Sequence, residues 1–130
     1  MVDGSSSRDE SLTSSFARPH VVADSDLAAS DNLAILIDAL DHHETDDLAQ
    51  RAVAVRMAEF ARSNDDALFR TCSEAHFTGS ALVVEEGTNR FILLFHTKLQ
   101  KWLQPGGHVD GNANLAASAL REAQEETGIE

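Results

Sequence analysis

The sequence predicts an α+β fold: two amphipathic helices, then short strands, then a closing helix. Three observations carry this reading. Apolar residues recur at helical spacing between residues 31 and 62. From Phe77 the pattern changes to short apolar runs separated by turn residues. After Pro105-Gly106-Gly107 the helical period returns, and it stops at Gly128. A chain of 130 residues can bury roughly two-thirds of its unfolded surface. Its 42% hydrophobic and 25% charged residues suit a globular protein.

Residues 1–30 read as a flexible tail. They hold eight serines and several aspartates, few large apolar residues and no sustained period. Such a stretch buries too little to offset its ordering entropy. Pro19, Val21 and Val22 are its only local docking candidates. Residues 31–72 form a helical segment. Ser30 or Asp31 caps the first helix, and Leu33, Leu36, Ile37 and Leu40 share one face. Asp41 to Asp47 is polar and reads as a loop ending in a helix cap. A second helix runs from about Asp46 to Arg62, with Ala49, Ala52, Val53, Met57 and Phe60 as its apolar stripe. Asn64-Asp65-Asp66 breaks the pattern.

Residues 73–130 carry the strands. Ala81-Leu82-Val83-Val84 is a buried-strand run. Glu86-Gly87-Thr88-Asn89 is a turn, and Phe91 to Phe95 is the second arm of a hairpin. A short strand at Lys101 to Leu103 is anchored in the core by Trp102. Pro105-Gly106-Gly107 opens a loop, and a helix from about Asn114 to Thr127 ends at Gly128.

The balance of 22 acidic against 10 basic side chains, a net charge of -12, argues against a protein that coats a nucleic-acid backbone. It leaves room for a small phosphorylated ligand whose charge a divalent cation neutralises. The single cysteine, Cys72, permits no internal disulfide and suits a reducing cytoplasm; it reads as a small buried apolar residue. No apolar run reaches the length of a membrane span.

The informative stretch is Gly106 to Ile129. Each helical residue turns about 100° around the axis. Glu122, Glu125 and Glu126 therefore share one face, while Ala116, Leu120, Ala123 and Thr127 share another that can pack on a sheet. Three carboxylates this close repel one another unless a cation lies between them. Hard oxygen ligands on a rigid element suit Mg²⁺ or Mn²⁺. Arg121 can orient one carboxylate by a bidentate contact. Taken alone, the glutamates also read as a solvated acidic face; the Gly-Gly segment before them and their spacing favour the metal.

This pattern resembles the Nudix box: Gly, five residues, Glu, seven residues, Arg-Glu, an aliphatic residue, any residue, Glu-Glu, any residue, Gly, an aliphatic residue. Gly107, Arg121, Glu122, Ala123, Glu125, Glu126, Gly128 and Ile129 fall at the required positions. Ala113 stands where the family has Glu, and Asp110 is the nearest substitute. The resemblance implies the N-terminal part of a Nudix α/β/α sandwich with a mixed sheet, preceded by the two helices. It implies a magnesium- or manganese-dependent hydrolase of a nucleoside diphosphate linked to another moiety. Glu122, Glu125, Glu126 and the Gly107 carbonyl would hold the metal, and Glu122, Glu125 and Arg121 would serve catalysis. Family domains continue past the box helix, so the chain is expected to be an incomplete domain that is unstable alone or pairs with another copy. A non-catalytic ligand-binding module and an inactive fragment are the competing readings.

Other candidates are weaker. His108 and Gly106 are placed to touch a phosphate, although a structural hydrogen bond suits His108 equally. His96 ends a strand and reads as structural. His42-His43-Glu44 lacks metal-ligand spacing. Trp102 can stack on a base, against the alternative of a core anchor. Lys98 and Lys101 are the two lysines available to steer an anion.

Overall fold

In a computed structural model, which describes residues 22–130, Asn32 starts the first helix. Its side chain accepts a hydrogen bond from the Ala34 amide and caps α1, Leu33–Asp41. The cap therefore lies one residue after Asp31 and two after Ser30. Asp47 caps α2, Leu48–Ser63, by accepting from the amides of Ala49 and Gln50. Pro19 and Val21 lie outside the described residues. Within the segment read as tail, Asp24–Leu27 form a 3-10 turn. The Ala113 amide donates to the Ser30 carbonyl, and Asn114 Nδ2 donates to the carbonyls of Asp26 and Ala28. These partners lie more than eighty residues away in sequence, beyond the reach of local composition.

The expected stripe of α2 is corrected. Ala54, Ala58 and Ala61 are its buried residues, while Ala49, Ala52 and Val53 face solvent. This helix is apolar on several sides, so period alone does not choose the packed one. The alanine side lies against α1, where short side chains let two helices approach closely. Met57 and Phe60 pack at its edge.

The strands are β1, Thr78–Ser80; β2, Leu94–His96; β3, Lys101–Leu103; and β4, Gly106–His108. They form two antiparallel pairs, β1 with β4 and β2 with β3. The mixed sheet expected from the sequence is represented among the described residues by these two pairs. The Pro105-Gly106-Gly107 loop is likewise corrected, because both glycines sit in β4 opposite Ser80 and Gly79. A Cβ at Gly106 would stand 2.7 Å from the Gly79 carbonyl oxygen, so only glycine permits this approach.

The hairpin is present but wet. The Ile92 amide donates to Val83, and the Glu85 amide donates to Arg90. Beside the turn, Arg90 and then Thr88 hold the Glu85 carboxyl below the usual carboxylate range. Leu82, Val84, Phe91 and Leu93 are exposed, since no described element packs over them. Trp102 is also exposed, at 65%, and is not the expected core anchor. It packs on Phe95 across β2 and β3, with ring centroids 5.3 Å apart.

The core includes none of these residues. Leu36, Ala61, Ala67, Leu68, Phe77, Val109 and Ala113 form one buried cluster. It joins the two helices to the segment after β4, across the boundary near residue 72 that the sequence suggests between helical and strand regions. Cys72 is buried and free, as expected. The last helix, α3, spans Leu115–Thr127, with Asn114 accepting from the Ala117 amide and Gly128 in the left-handed conformation at its end. No described helix is long and apolar enough to cross a membrane.

Candidate active site

Gly79 decides how α3 meets the sheet. A Cβ there would stand 2.9 Å from the Leu115 carbonyl oxygen and 3.0 Å from the Ala119 amide nitrogen. The helix backbone therefore rests almost directly on β1. Ser118 and Ala123 are the buried side chains of α3, whereas Ala116 and Leu120 are exposed, which corrects the face expected to pack. Small residues win that position because the strand beneath has no side chain to interleave with larger ones.

Glu122 lies one turn after Ser118 and is carried towards β4 by the same geometry. Its side chain is only 13% exposed. A Cβ added to Gly107 would collide with its carboxylate. The Glu126 carboxylate accepts from the Gly106 amide at 3.0 Å. Arg121 organises the remainder: Nη2 donates to the His108 carbonyl at 2.9 Å and pairs with Glu122 at 2.8 Å, and Nη1 reaches Glu125 at 3.3 Å. The glycine strand and the acidic helix face are thus stitched together by side chains that the sequence singled out.

We expect Gly107→Ala to displace the Glu122 carboxylate and destabilise the chain by about 1–3 kcal/mol, the usual effect of overpacking. Chemical denaturation measures this, and an unchanged midpoint would show that Glu122 does not rest on Gly107.

Gly106, Gly107, His108, Arg121, Glu122, Glu125 and Glu126 line one cavity of about 1020 Å³. Arg70, Ser80, Gln104 and Trp102 line it too. Three carboxylates and one guanidinium make the acidic cluster net negative. As they stand, the carboxylates engage Arg121 and the Gly106 amide, and among the described residues no three acidic, His or Cys side chains converge on one point that could hold an ion. The donor set suits a hard divalent cation in chemistry, all oxygen and in excess of its one cationic partner. Binding would require the carboxylates to turn from Arg121 and Gly106 towards a common point.

The proposed substitution of Asp110 for the box Glu is corrected. Asp110 takes a bidentate contact from Arg70, at 2.9 Å to each oxygen, and does not reach Arg121. It adopts the left-handed backbone conformation, with φ of 47°. Ala113 is 2% exposed and points into the apolar cluster shared with α1 and α2. A glutamate there would bury a charge among Leu36, Ala61 and Phe77, at heavy desolvation cost. Its packing environment explains why this position is alanine.

His108 lies in β4 beside His76, with ring centroids 4.9 Å apart. Its Nδ1 is buried without a hydrogen-bond partner, so the structural hydrogen bond is not made there. His42 instead caps α1: its Nδ1 lies 2.8 Å from the Asp38 carbonyl. That carbonyl, and next the Asp38 carboxylate, raise the His42 pKa above its ordinary value. Neither Lys98 nor Lys101 lines the cavity of the carboxylates. Sequence reasoning missed Arg70, Ser80 and Gln104. Arg70 carries no motif signal; Gln104, whose amide donates to Ser80 Oγ at 2.6 Å, is marked only by its place before Pro105.

Comparison with known proteins adds the following. The family model of the NUDIX domain matches residues 76–130. The asymmetrical bis(5'-nucleosyl)-tetraphosphatase of Rattus norvegicus is 48% identical over 48 residues, 36% of this chain and 33% of that protein. The chain therefore spans about a third of the length of this curated relative. No solved structure matches.

Proposed function

Residues 76–130 match the NUDIX domain, and from that premise we propose that the protein hydrolyses the diphosphate linkage of a nucleotide in a divalent-metal-dependent reaction. The observation that carries this reading is the Glu122 carboxylate seated on Gly107 while Glu126 grips the Gly106 amide. It joins the acidic helix face to the glycine strand in one cavity. The rat relative's name, a bis(5'-nucleosyl)-tetraphosphatase, supports a substrate made of nucleosides joined through phosphates.

Glu122, Glu125, Glu126 and the Gly107 carbonyl would hold Mg²⁺ or Mn²⁺. When bound, the cation neutralises and polarises the diphosphate and lowers the barrier to attack by water. Arg121 keeps Glu122 over β4 through its anchor on the His108 carbonyl. Glu125, whose side chain is 60% exposed and held by a 3.3 Å contact with Arg121, would accept the proton of the attacking water on leaving that contact. The water oxygen bonds to phosphorus, the bridging P–O bond breaks, and the phosphorylated leaving group departs with the electron pair. Gly106 and His108 line the cavity and supply weak phosphate contacts. A reducing cytoplasm suits the lone Cys72, and residues 73–130 carry the catalytic site.

The test is release of a nucleoside monophosphate from a dinucleoside polyphosphate. We expect release with Mg²⁺ and none with excess chelator. Equal release in chelator would sink the metal-dependent reading. A second reading, a binding module without turnover, is favoured by one observation: every carboxylate of the cluster already has a protein partner. Saturable ligand binding with Mg²⁺ present and no cleavage would select it.

A further inference from the structure

The cavity that holds the carboxylates also has an aromatic side. We propose that Trp102, backed by Phe95, is the stacking platform for the nucleobase of the substrate; this rests on the hydrolase reading of the same cavity. Trp102 is 65% exposed yet lines that cavity with Leu99 and Leu103. Its ring is held from behind. Phe95 faces it across β2 and β3, with centroids 5.3 Å apart and planes tilted by 58°. An indole fixed in this way loses little freedom when a ligand covers it.

The chemistry of the two sides selects the ligand. A cavity of about 1020 Å³ is at the upper end for a small-molecule site, roughly 300–1,000 Å³. It pairs an acidic pole with a flat apolar face. A phosphate chain carried by a cation suits the pole, and a planar heterocycle suits the indole, because every base has a π-face to stack. A nucleotide has both ends in one molecule; a sugar or alkyl diphosphate lacks a planar π-face to stack on the ring. Val84, Phe91 and Ile129, also exposed, line a separate cavity whose one acidic residue, Glu85, is paired with Arg90.

Trp102 is the single tryptophan of the chain, so its fluorescence reports this subsite alone. The 130-residue chain is titrated, with Mg²⁺ present, with adenosine monophosphate and separately with ribose 5-phosphate, and affinities are measured by calorimetry. We expect saturable quenching by the nucleotide and none by the sugar phosphate. Trp102→Ala should weaken nucleotide binding roughly tenfold or more, the usual effect of removing a base stack. It should leave ribose 5-phosphate unaffected, and Trp102→Phe should restore most of the loss. Both variants are expected to fold, because Trp102 lies outside the buried cluster. Equal quenching by both ligands overturns the proposal, as does unchanged nucleotide affinity in Trp102→Ala. A concentration-dependent blue shift without ligand also overturns it, since a second copy would then cover the ring. If these arms fail while turnover with Mg²⁺ persists, the platform alone is lost. If the nucleotide quenches but no substrate is ever cleaved, the hydrolase reading is lost and the base subsite remains.

Discussion

Glu126→Gln is expected to lower turnover of a dinucleoside polyphosphate by about a hundredfold or more, in the range seen when a group that handles charge or protons at the reacting centre is removed. The substitution keeps the size of the side chain, and the amide oxygen can still accept from the Gly106 amide at the 3.0 Å contact. What disappears is one negative charge of a cluster in which Arg121 alone opposes Glu122, Glu125 and Glu126. The folded structure should therefore persist while affinity for Mg²⁺ falls. Initial rates across a Mg²⁺ titration and a melting curve on the same sample separate the two effects. Glu59→Gln on α2, outside the cavity, serves as the control and should leave turnover unchanged. Full activity in Glu126→Gln would remove the proposed catalytic role of this face.

Phe77→Ala should cost about 3–5 kcal/mol, the usual range for emptying an aromatic position in a core. Phe77 is 5% exposed and belongs to the cluster that joins Leu36 of α1, Ala61 of α2 and Val109 after β4. Its ring lies 5.8 Å from that of Phe60, and its amide donates to the Ala67 carbonyl. Removing the ring takes contacts from the helices and from the strand side together. Domains are stable by only about 5–15 kcal/mol, so a loss of this size leaves a large unfolded fraction near body temperature. Denaturant titration at fixed slope measures it. Phe69→Ala is the comparison: that ring is about half exposed and rests on Gly111, so its loss should cost much less. Equal costs for the two would mean that the buried cluster is not the stabilising unit.

The acidic trio on α3 was legible because helical geometry turns a spacing of three and four residues into one face, whatever the surroundings. Its proximity to Gly107 followed from the box pattern. The partners of the carboxylates were not legible. Arg121 lies next to Glu122 in sequence, yet its anchor on the His108 carbonyl depends on how α3 lies across β4. Asp110 was the natural candidate to replace the box glutamate by position; Arg70, forty residues earlier, takes it instead. Trp102 illustrates the same limit. Its size argued for the core, but β3 pairs with β2, and neither strand contributes a residue to the buried cluster.

By itself, the sequence determined the order of the three α-helices and of β1 to β3, the caps at Asp47, Asn114 and Gly128 to within a residue, and the shared face of Glu122, Glu125 and Glu126. All of these are set by interactions between residues at most a few positions apart. Only the tertiary structure decided which side of α2 is buried, that Gly106 and Gly107 form a strand, that Ala113 must be small, and that Trp102 faces the cavity. Each of those depends on which distant surface arrives opposite the residue. Packing geometry sets that, and no local period encodes it.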